Sequence, residues 1–140
     1  MKVCIFCQIA AGEQPASIVY RDDVCIAFLD NQPINEGHTL VIPIEHAEGL
    51  EDLPEATGGR MFQVAQRVAH ALRESDVPCE GVNLMLADGA VAGQEVDHVH
   101  LHVIPRVAGD GFGFRFGPGY GSRPDRSELD AVAERIQEAL

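Results

Sequence analysis

The chain has 140 residues, 46% of them hydrophobic, and a formal net charge of −12. That length suits one domain with one buried core, and no apolar run approaches the roughly 20 residues that span a bilayer. Nine arginines and one lysine against 22 acidic residues argue against long nucleic acid, whose affinity rests on phosphate neutralisation, yet leave room for a small nucleotide held by local donors.

The N-terminus has no basic segment followed by a long apolar one, so it does not read as a signal peptide and a cytoplasmic protein is expected. Cys4-Ile5-Phe6-Cys7 opens the chain with a C-x-x-C pair. Ile5, Phe6 and Ile9 share one face of a short helix that Gly12 ends. Ile18–Tyr20 and Val24–Leu29 predict a hairpin around Arg21-Asp22-Asp23. Asp30–Gly37 is a loop by its turn residues, and His38–Ile42 a strand closed by Pro43. A polar connection, Glu45–Asp52, carries His46. Leu53–Glu74 predicts the main helix from the spacing of Met61, Ala65, Val68, Ala69 and Leu72, with Phe62 at the edge of that stripe. Gly58-Gly59 weakens its first half, so a late start or a bend is expected. His70 reads as an ordinary helical residue.

Gly81–Ala87 alternates as a strand, and Asp88–Val96 is a glycine-bearing loop. His98-Val99-His100-Leu101-His102-Val103-Ile104 alternates histidine with apolar residues up to Pro105, the period of a half-buried strand. Val99, Leu101 and Val103 would face the core and the three histidines the other side, about 6.6 Å apart along the strand at roughly 3.3 Å per residue. Residues 109–121 hold six glycines interleaved with Phe112, Phe114, Phe116 and Tyr120, an irregular, partly mobile arm. Ser127 is placed as the cap of a last helix to about Ala139, with Asp130 completing a weak capping box and Leu129, Val132 and Ile136 forming an apolar stripe. In the expected fold, about five strands pair mainly antiparallel and the helices pack on one face. Cys25 and Cys79 read as small apolar residues, and no disulfide framework is expected in a cytosolic protein.

The histidine row carries the chemistry. A neutral imidazole is a good nucleophile toward phosphorus near neutral pH. A neighbouring imidazole can donate to a phosphoryl oxygen or protonate a leaving group. The Gly89…Gly93-Gln94 loop, four residues before His98, would supply backbone N–H donors. Those parts fit phosphoryl or nucleotidyl transfer through a covalent histidine. A three-histidine metal site with an open position for water fits the triad alone equally well.

The wider pattern resembles the histidine-triad (HIT) superfamily, in its Hint-like branch of small nucleotide-binding hydrolases. The likeness runs over about residues 3–113. It includes Cys4–Cys7, Ala27-Phe28-Leu29-Asp30, Gly37-His38-Thr39-Leu40-Val41-Ile42-Pro43, Gly93-Gln94 and His98–Pro105. The resemblance implies an α+β, HIT-like fold: a mainly antiparallel sheet of about five strands, one long helix and short helices. It implies one HIT domain over 1–140, with a core at about 3–108, the arm at 109–121 and a helix at 126–139. His100 is then the nucleophile that takes a nucleoside monophosphate, His102 contacts the phosphate and assists the leaving group, and His38 supports both. Asp30 holds the ribose hydroxyls, and a carboxylate accepting two vicinal hydroxyls suits that task. Ile5, Phe6 and Ile9 form the base wall, although plain core residues would read the same way singly. Gly93, Gln94 and Asn83 complete the substrate-binding set.

The implied activity is release of a purine nucleoside 5′-monophosphate from a leaving group, of phosphoramidate type, by a homodimer with no organic cofactor. Dinucleoside polyphosphate hydrolysis, as in the Fhit-like branch, is the alternative within chemistry. A nucleotide-binding or scaffold protein with weak catalysis is the alternative outside it. Some bacterial Hint-like relatives bind zinc at positions matching Cys4, Cys7, His46 and His98. The resemblance therefore implies a closed, structural Cys₂His₂ zinc site, against a bare thiol or redox pair. The chain departs from the family at two positions. Ala87 stands where relatives usually carry Asn or Gln, and Glu95 where they carry Ser or Thr. An ionised carboxylate cannot donate to a phosphate and repels it. Glu95 must therefore turn away, serve a cationic leaving group such as an amine, or weaken turnover.

Overall fold

The computed structural model describes residues 3–140. Its elements are α1 (Ile5–Ala10), β1 (Ile18–Arg21), β2 (Cys25–Leu29), β3 (Thr39–Pro43), α2 (Glu55–Glu74), β4 (Gly81–Leu86), a 3₁₀ turn at Ala90–Ala92, β5 (Leu101–Arg106) and α3 (Arg126–Ala139). The five strands form one antiparallel sheet in the order β1-β2-β3-β5-β4. Burial follows that order. Four consecutive residues of β2 and all of β3 are buried, because central strands covered on both faces read as unbroken apolar runs.

Alternate side chains divide the core in two. Cys25, Ala27, Val41 and Val103 point to one face and meet Met61, Val64, Ala65, Val68 and Leu72 of α2. Ile26, Phe28, Leu40 and Ile42 point to the other and meet Phe6 and Ile9 of α1. The helices therefore lie on both faces of the sheet, not on one as expected. A single short helix suffices on the second face because part of that face is the cavity described below. α2 runs unbroken through Gly58-Gly59, with Glu55 in its first turn and Arg73 in its last, the charge order that the helix dipole favours. Phe62 and His70 lie on its exposed side.

Two polar clusters pin the ends. Arg60 on α2 donates from Nε to Asp22 Oδ2 at 2.8 Å and from Nη2 to the Tyr20 hydroxyl at 2.7 Å, and that hydroxyl donates to the same Asp22 oxygen at 2.8 Å. Burial works against the Asp22 charge. The Cys25 and Val24 N–H groups, Tyr20 and Arg60 outweigh it and hold the carboxyl well below the usual carboxylate range. At the far end of β5, Arg106 grips both oxygens of Asp110, at 2.7 and 2.8 Å, and also donates to Phe112 O while lying over the Phe112 ring. The base of the glycine–aromatic arm is thereby fixed to the sheet. Beyond it the chain is irregular and exposed, with Phe116 and Tyr120 stacked at 3.9 Å.

The C-terminal helix differs from expectation at its start and in its packing. Asp125, not Ser127, is the N-cap residue, and no side chain closes the cap. Leu129, Val132 and Ile136 form a stripe, but each is at least 42% exposed and no residue of α3 is buried. Periodicity shows which residues share a face and says nothing of whether that face meets another. No described helix is long and apolar enough to cross a membrane.

The turn into β3 leaves little room for change. Gly37 has φ +90°, and a Cβ there would stand 2.8 Å from Val77 Cγ1 and 2.9 Å from Leu72 Cδ2. Gly37→Ala combines left-handed strain with overpacking and is expected to remove about 2–4 kcal/mol of stability. The midpoint of urea unfolding measures it.

Candidate active site

Strand register assembles the centre. β3 and β5 pair Leu40 with His102. His38 sits two residues before Leu40, so it is the diagonal neighbour of His102 on the same face. His38 Nε2 and His102 Nδ1 are 2.9 Å apart. The Ile34 N–H donates to His38 Nδ1 at 3.0 Å, so that nitrogen is unprotonated. Burial lowers the pKa of His38, the Asp30 charge opposing and His100 assisting. Neutral His38 therefore carries its proton on Nε2 and donates it to His102 Nδ1. His102 is pushed down to about 4, first by burial and then by His100 and His38, with Asp30 opposing. Its own proton is left on Nε2, the nitrogen that is free of His38.

The triad is not one continuous strand. β5 begins at Leu101, and His98–His100 precede it. Val99 N–H donates instead to Ala47 O at 2.8 Å, which ties this segment to the loop after β3. The histidines also do not form one solvent-facing row, since His98 is wholly buried and His100 is 5% exposed. Each has a different hydrogen-bond partner. His98 Nε2 donates to Pro43 O at 2.8 Å, and His100 Nδ1 donates to the His98 carbonyl at 2.8 Å. The His100 bond leaves Nε2 as the nitrogen with the lone pair when the ring is neutral. With two of the three rings engaged on different carbonyls and the third on His38, the triad nitrogens do not converge as a three-histidine metal centre requires.

His98 Nδ1 converges elsewhere. It lies 3.4 Å from Cys4 Sγ, 3.5 Å from Cys7 Sγ and 3.2 Å from His46 Nδ1, and Cys7 Sγ lies 3.3 Å from His46 Nδ1. A tetrahedral zinc with ordinary bond lengths sets N···N edges of about 3.3 Å and S···N edges of about 3.6 Å. The donor set fits that shape, and these four residues could hold such an ion. Helix α1 helps to place them, because Cys4 is its N-cap residue and Cys4 Sγ accepts from the Cys7 N–H. Burial, then the hydrogen bond to Cys4 and its charge, push the Cys7 thiol up to about 11. A bound divalent cation would draw off its proton.

Phe6 stands edge-on to His100, with ring centroids 5.2 Å apart. It belongs to the wall of a cavity of about 820 Å³ that also exposes Ile5, Ile9, Asp30, His38, His100 and His102. That volume is of the size that takes a nucleotide. Asp30 Oδ1 accepts from Gln32 N–H at 2.9 Å, and its Oδ2 lies 3.7 Å from His38 Nε2. Gly93 lines the cavity too, whereas Gln94 and Asn83 do not. Gln94 is spent on the loop itself, accepting from Gly89 N–H and donating to Glu48 O and Val96 O. Asn83 accepts from Arg106 Nη1 at 2.6 Å, at the arm end of the sheet. Ala87 is buried and does not reach the cavity.

Three contributors escape sequence reasoning. The Ile34 N–H that sets the His38 tautomer is a backbone group without a residue signature. Met85 and Asn31 join the wall only through the fold. Glu95, singled out in the sequence as a departure, does face the cavity.

Comparison with known proteins agrees with this geometry. The HIT domain family model matches residues 11–109. A HIT family protein from Bacillus subtilis superposes with a TM-score of 0.90 at 34% identity, over 99% of this chain and 98% of its own. A zinc-bound histidine triad family protein from Mycobacterium smegmatis superposes with a TM-score of 0.76 at 41% identity, covering 98% and 97%. The adenosine 5′-monophosphoramidase of Schizosaccharomyces pombe is 33% identical over 138 residues, 98% of either chain. The paired histidines, the cavity beside them and these matches together place the chain in the HIT family, in its Hint-like branch.

Proposed function

We propose that the chain hydrolyses purine nucleoside phosphoramidates to a nucleoside 5′-monophosphate and an amine, through a nucleotidyl-histidine on His100. One observation carries the proposal. The His98 carbonyl accepts a hydrogen bond from the Nδ1–H of His100, so the Nε2 lone pair is available beside a cavity that also holds His102. In the first step the His100 Nε2–P bond forms and the P–N bond breaks. The departing nitrogen takes its proton from a water molecule, while neutral His102, held by His38 Nε2–H on the other side of its ring, hydrogen-bonds that nitrogen through Nε2–H. In the second step the hydroxide left from that water attacks phosphorus, and the His100–P bond breaks to restore the neutral ring. Asp30 accepts the ribose hydroxyls, while Ile5, Phe6 and Ile9 flank the base. The monophosphoramidase name of the yeast relative supports this substrate class.

Zinc on Cys4, Cys7, His46 and His98 belongs to the same proposal as a structural ion; bound there, it would hold α1 to the segment before β5. The zinc-bound mycobacterial neighbour and the four-donor geometry support it. A cytoplasmic homodimer that acts on small nucleotides and leaves nucleic acid alone completes the proposal, in keeping with the acidic chain.

Three outcomes are expected. His100→Ala lowers turnover of adenosine 5′-phosphoramidate by about 10³-fold or more while still binding adenosine monophosphate in calorimetry, and wild type trapped in acid-free quench shows a nucleotidyl adduct by mass spectrometry. Binding without turnover of this amidate in wild type would leave dinucleoside polyphosphate hydrolysis or the nucleotide-binding alternative. Elemental analysis of freshly purified protein finds about one zinc per chain, and Cys4→Ser lowers both that content and the melting temperature; metal-free preparations of full thermal stability would remove the ion from the account. The pH profile follows His102. Its folded pKa lies near 4, below the ordinary 6.5, so the unfolded chain binds more protons between those values and stability falls as pH drops from 6.5 toward 4. The acid limb of kcat should carry no step from His102 near 6.5, and NMR titration of its imidazole checks the assignment.

A further inference from the structure

Glu95 lies in the cavity wall together with His100 and His102. Its place there is built, not incidental. The neighbouring Gln94 side chain bonds Gly89 N–H, Glu48 O and Val96 O. Val96 on the other side packs against the α1 face of the core. The backbone on either side of Glu95 is thus held, and the side chain projects from a fixed rim. Among the described residues its carboxylate has no hydrogen bond or ion pair, whereas the other cavity carboxylate, Asp30, already accepts from Gln32 N–H. Among the described residues no lysine or arginine lines the cavity.

A carboxylate with no hydrogen-bond or ion-pair partner, and no Lys or Arg among the described residues of its cavity, makes the local field more negative. It attracts an ammonium and repels a phosphate or sulfate. The phosphorus to be attacked must nonetheless approach His100, and its own charge is met there by the His102 N–H. Glu95 lines the same cavity as His100 and His102, so its charge would act on the group attached to phosphorus there.

We propose that Glu95 is a specificity-determining residue that selects leaving groups carrying a positive charge, namely amines with a cationic substituent, and discriminates against anionic ones. The proposal rests on the nucleotide-hydrolase assignment above and deepens it by naming the class of leaving group.

The test uses the full chain and three N-substituted adenosine 5′-phosphoramidates of equal tail length, ending in an ammonium, a methyl or a carboxylate group. Adenosine 5′-phosphosulfate serves as a further anionic substrate. The readout is the ratio of kcat/KM for the ammonium over the carboxylate tail. Exposed ion pairs and like-charge pairs are each worth up to a few-fold, so this ratio should be roughly 3- to 20-fold larger in wild type than in Glu95→Gln. It should invert in Glu95→Lys and shrink as salt rises. A ratio equal in wild type and Glu95→Gln overturns the proposal, as does a wild-type preference for the carboxylate or sulfate. If wild type turns over none of the amidates, the hydrolase assignment fails instead. Glu95 is then judged by the same ratio of Kd values, measured with analogues in which methylene replaces the bridging nitrogen. A wild-type Kd ratio that Glu95→Gln leaves unchanged overturns the proposal on that arm as well.

Discussion

The arrangement depends on one side chain, His98, which is fixed on three sides at once. Its Nε2–H is donated to Pro43 O at the end of β3. Its Nδ1 faces two thiols and a second imidazole. Its carbonyl accepts the Nδ1–H of His100. A wholly buried imidazole must satisfy both nitrogens or forfeit about 1–3 kcal/mol for each unpaired group. The bond to Pro43 allows only one tautomer, because a carbonyl cannot donate. That tautomer is the one that leaves a lone pair on Nδ1 for a metal. The same residue orients the next histidine in the row through its backbone. The Cys₂His₂ cluster and His100 are therefore consecutive links in one hydrogen-bonded path, and a shift of His98 would be felt at both ends.

The same logic runs from the other side. The Ile34 N–H fixes His38, and His38 fixes His102. Two backbone groups, one N–H and one carbonyl, thus set the proton positions of the histidines beside the cavity. Both belong to segments held by the sheet. The His38 end is held by the turn at Gly37, where no Cβ fits. The His98 end is held by the Val99 bond to Ala47. The sheet supplies register, the flanking loops supply the polar contacts, and the apolar faces of α1 and α2 hold both in place.

Most of this was legible because it rests on local rules. The strands and the long helix follow from apolar spacing, and Asp30, His38, His100 and His102, singled out in the sequence, are brought by the fold to one cavity. What sequence could not show was the third dimension. Alternation suggested that His98, His100 and His102 share one face, but a period of two describes direction only while the chain remains a strand. Here it does so only from Leu101. Asn83 and Gln94 matched by position yet are engaged with Arg106 and the loop backbone, partners far apart in sequence or without side-chain identity. The stripe on α3 was equally plain in sequence, and the fold leaves it exposed.

Charge closes the account. The chain carries −12, and among the described residues its cavity has no Lys or Arg, yet its chemistry is proposed to act on an anion. Burial resolves this. It lowers the pKa of His38, His98 and His102, so these rings are neutral donors and acceptors rather than cations. A protonated imidazole next to His100 would draw phosphate in but would also hold it tightly as product. A neutral N–H offers a weaker bond that strengthens as charge builds on the phosphoryl oxygens or the leaving nitrogen, and that difference is what accelerates a reaction. The cost is weak attraction for substrates at long range. On the proposed function, binding would then come from the apolar wall around Phe6 and from Asp30 at the ribose hydroxyls, with charge left to sort the leaving group.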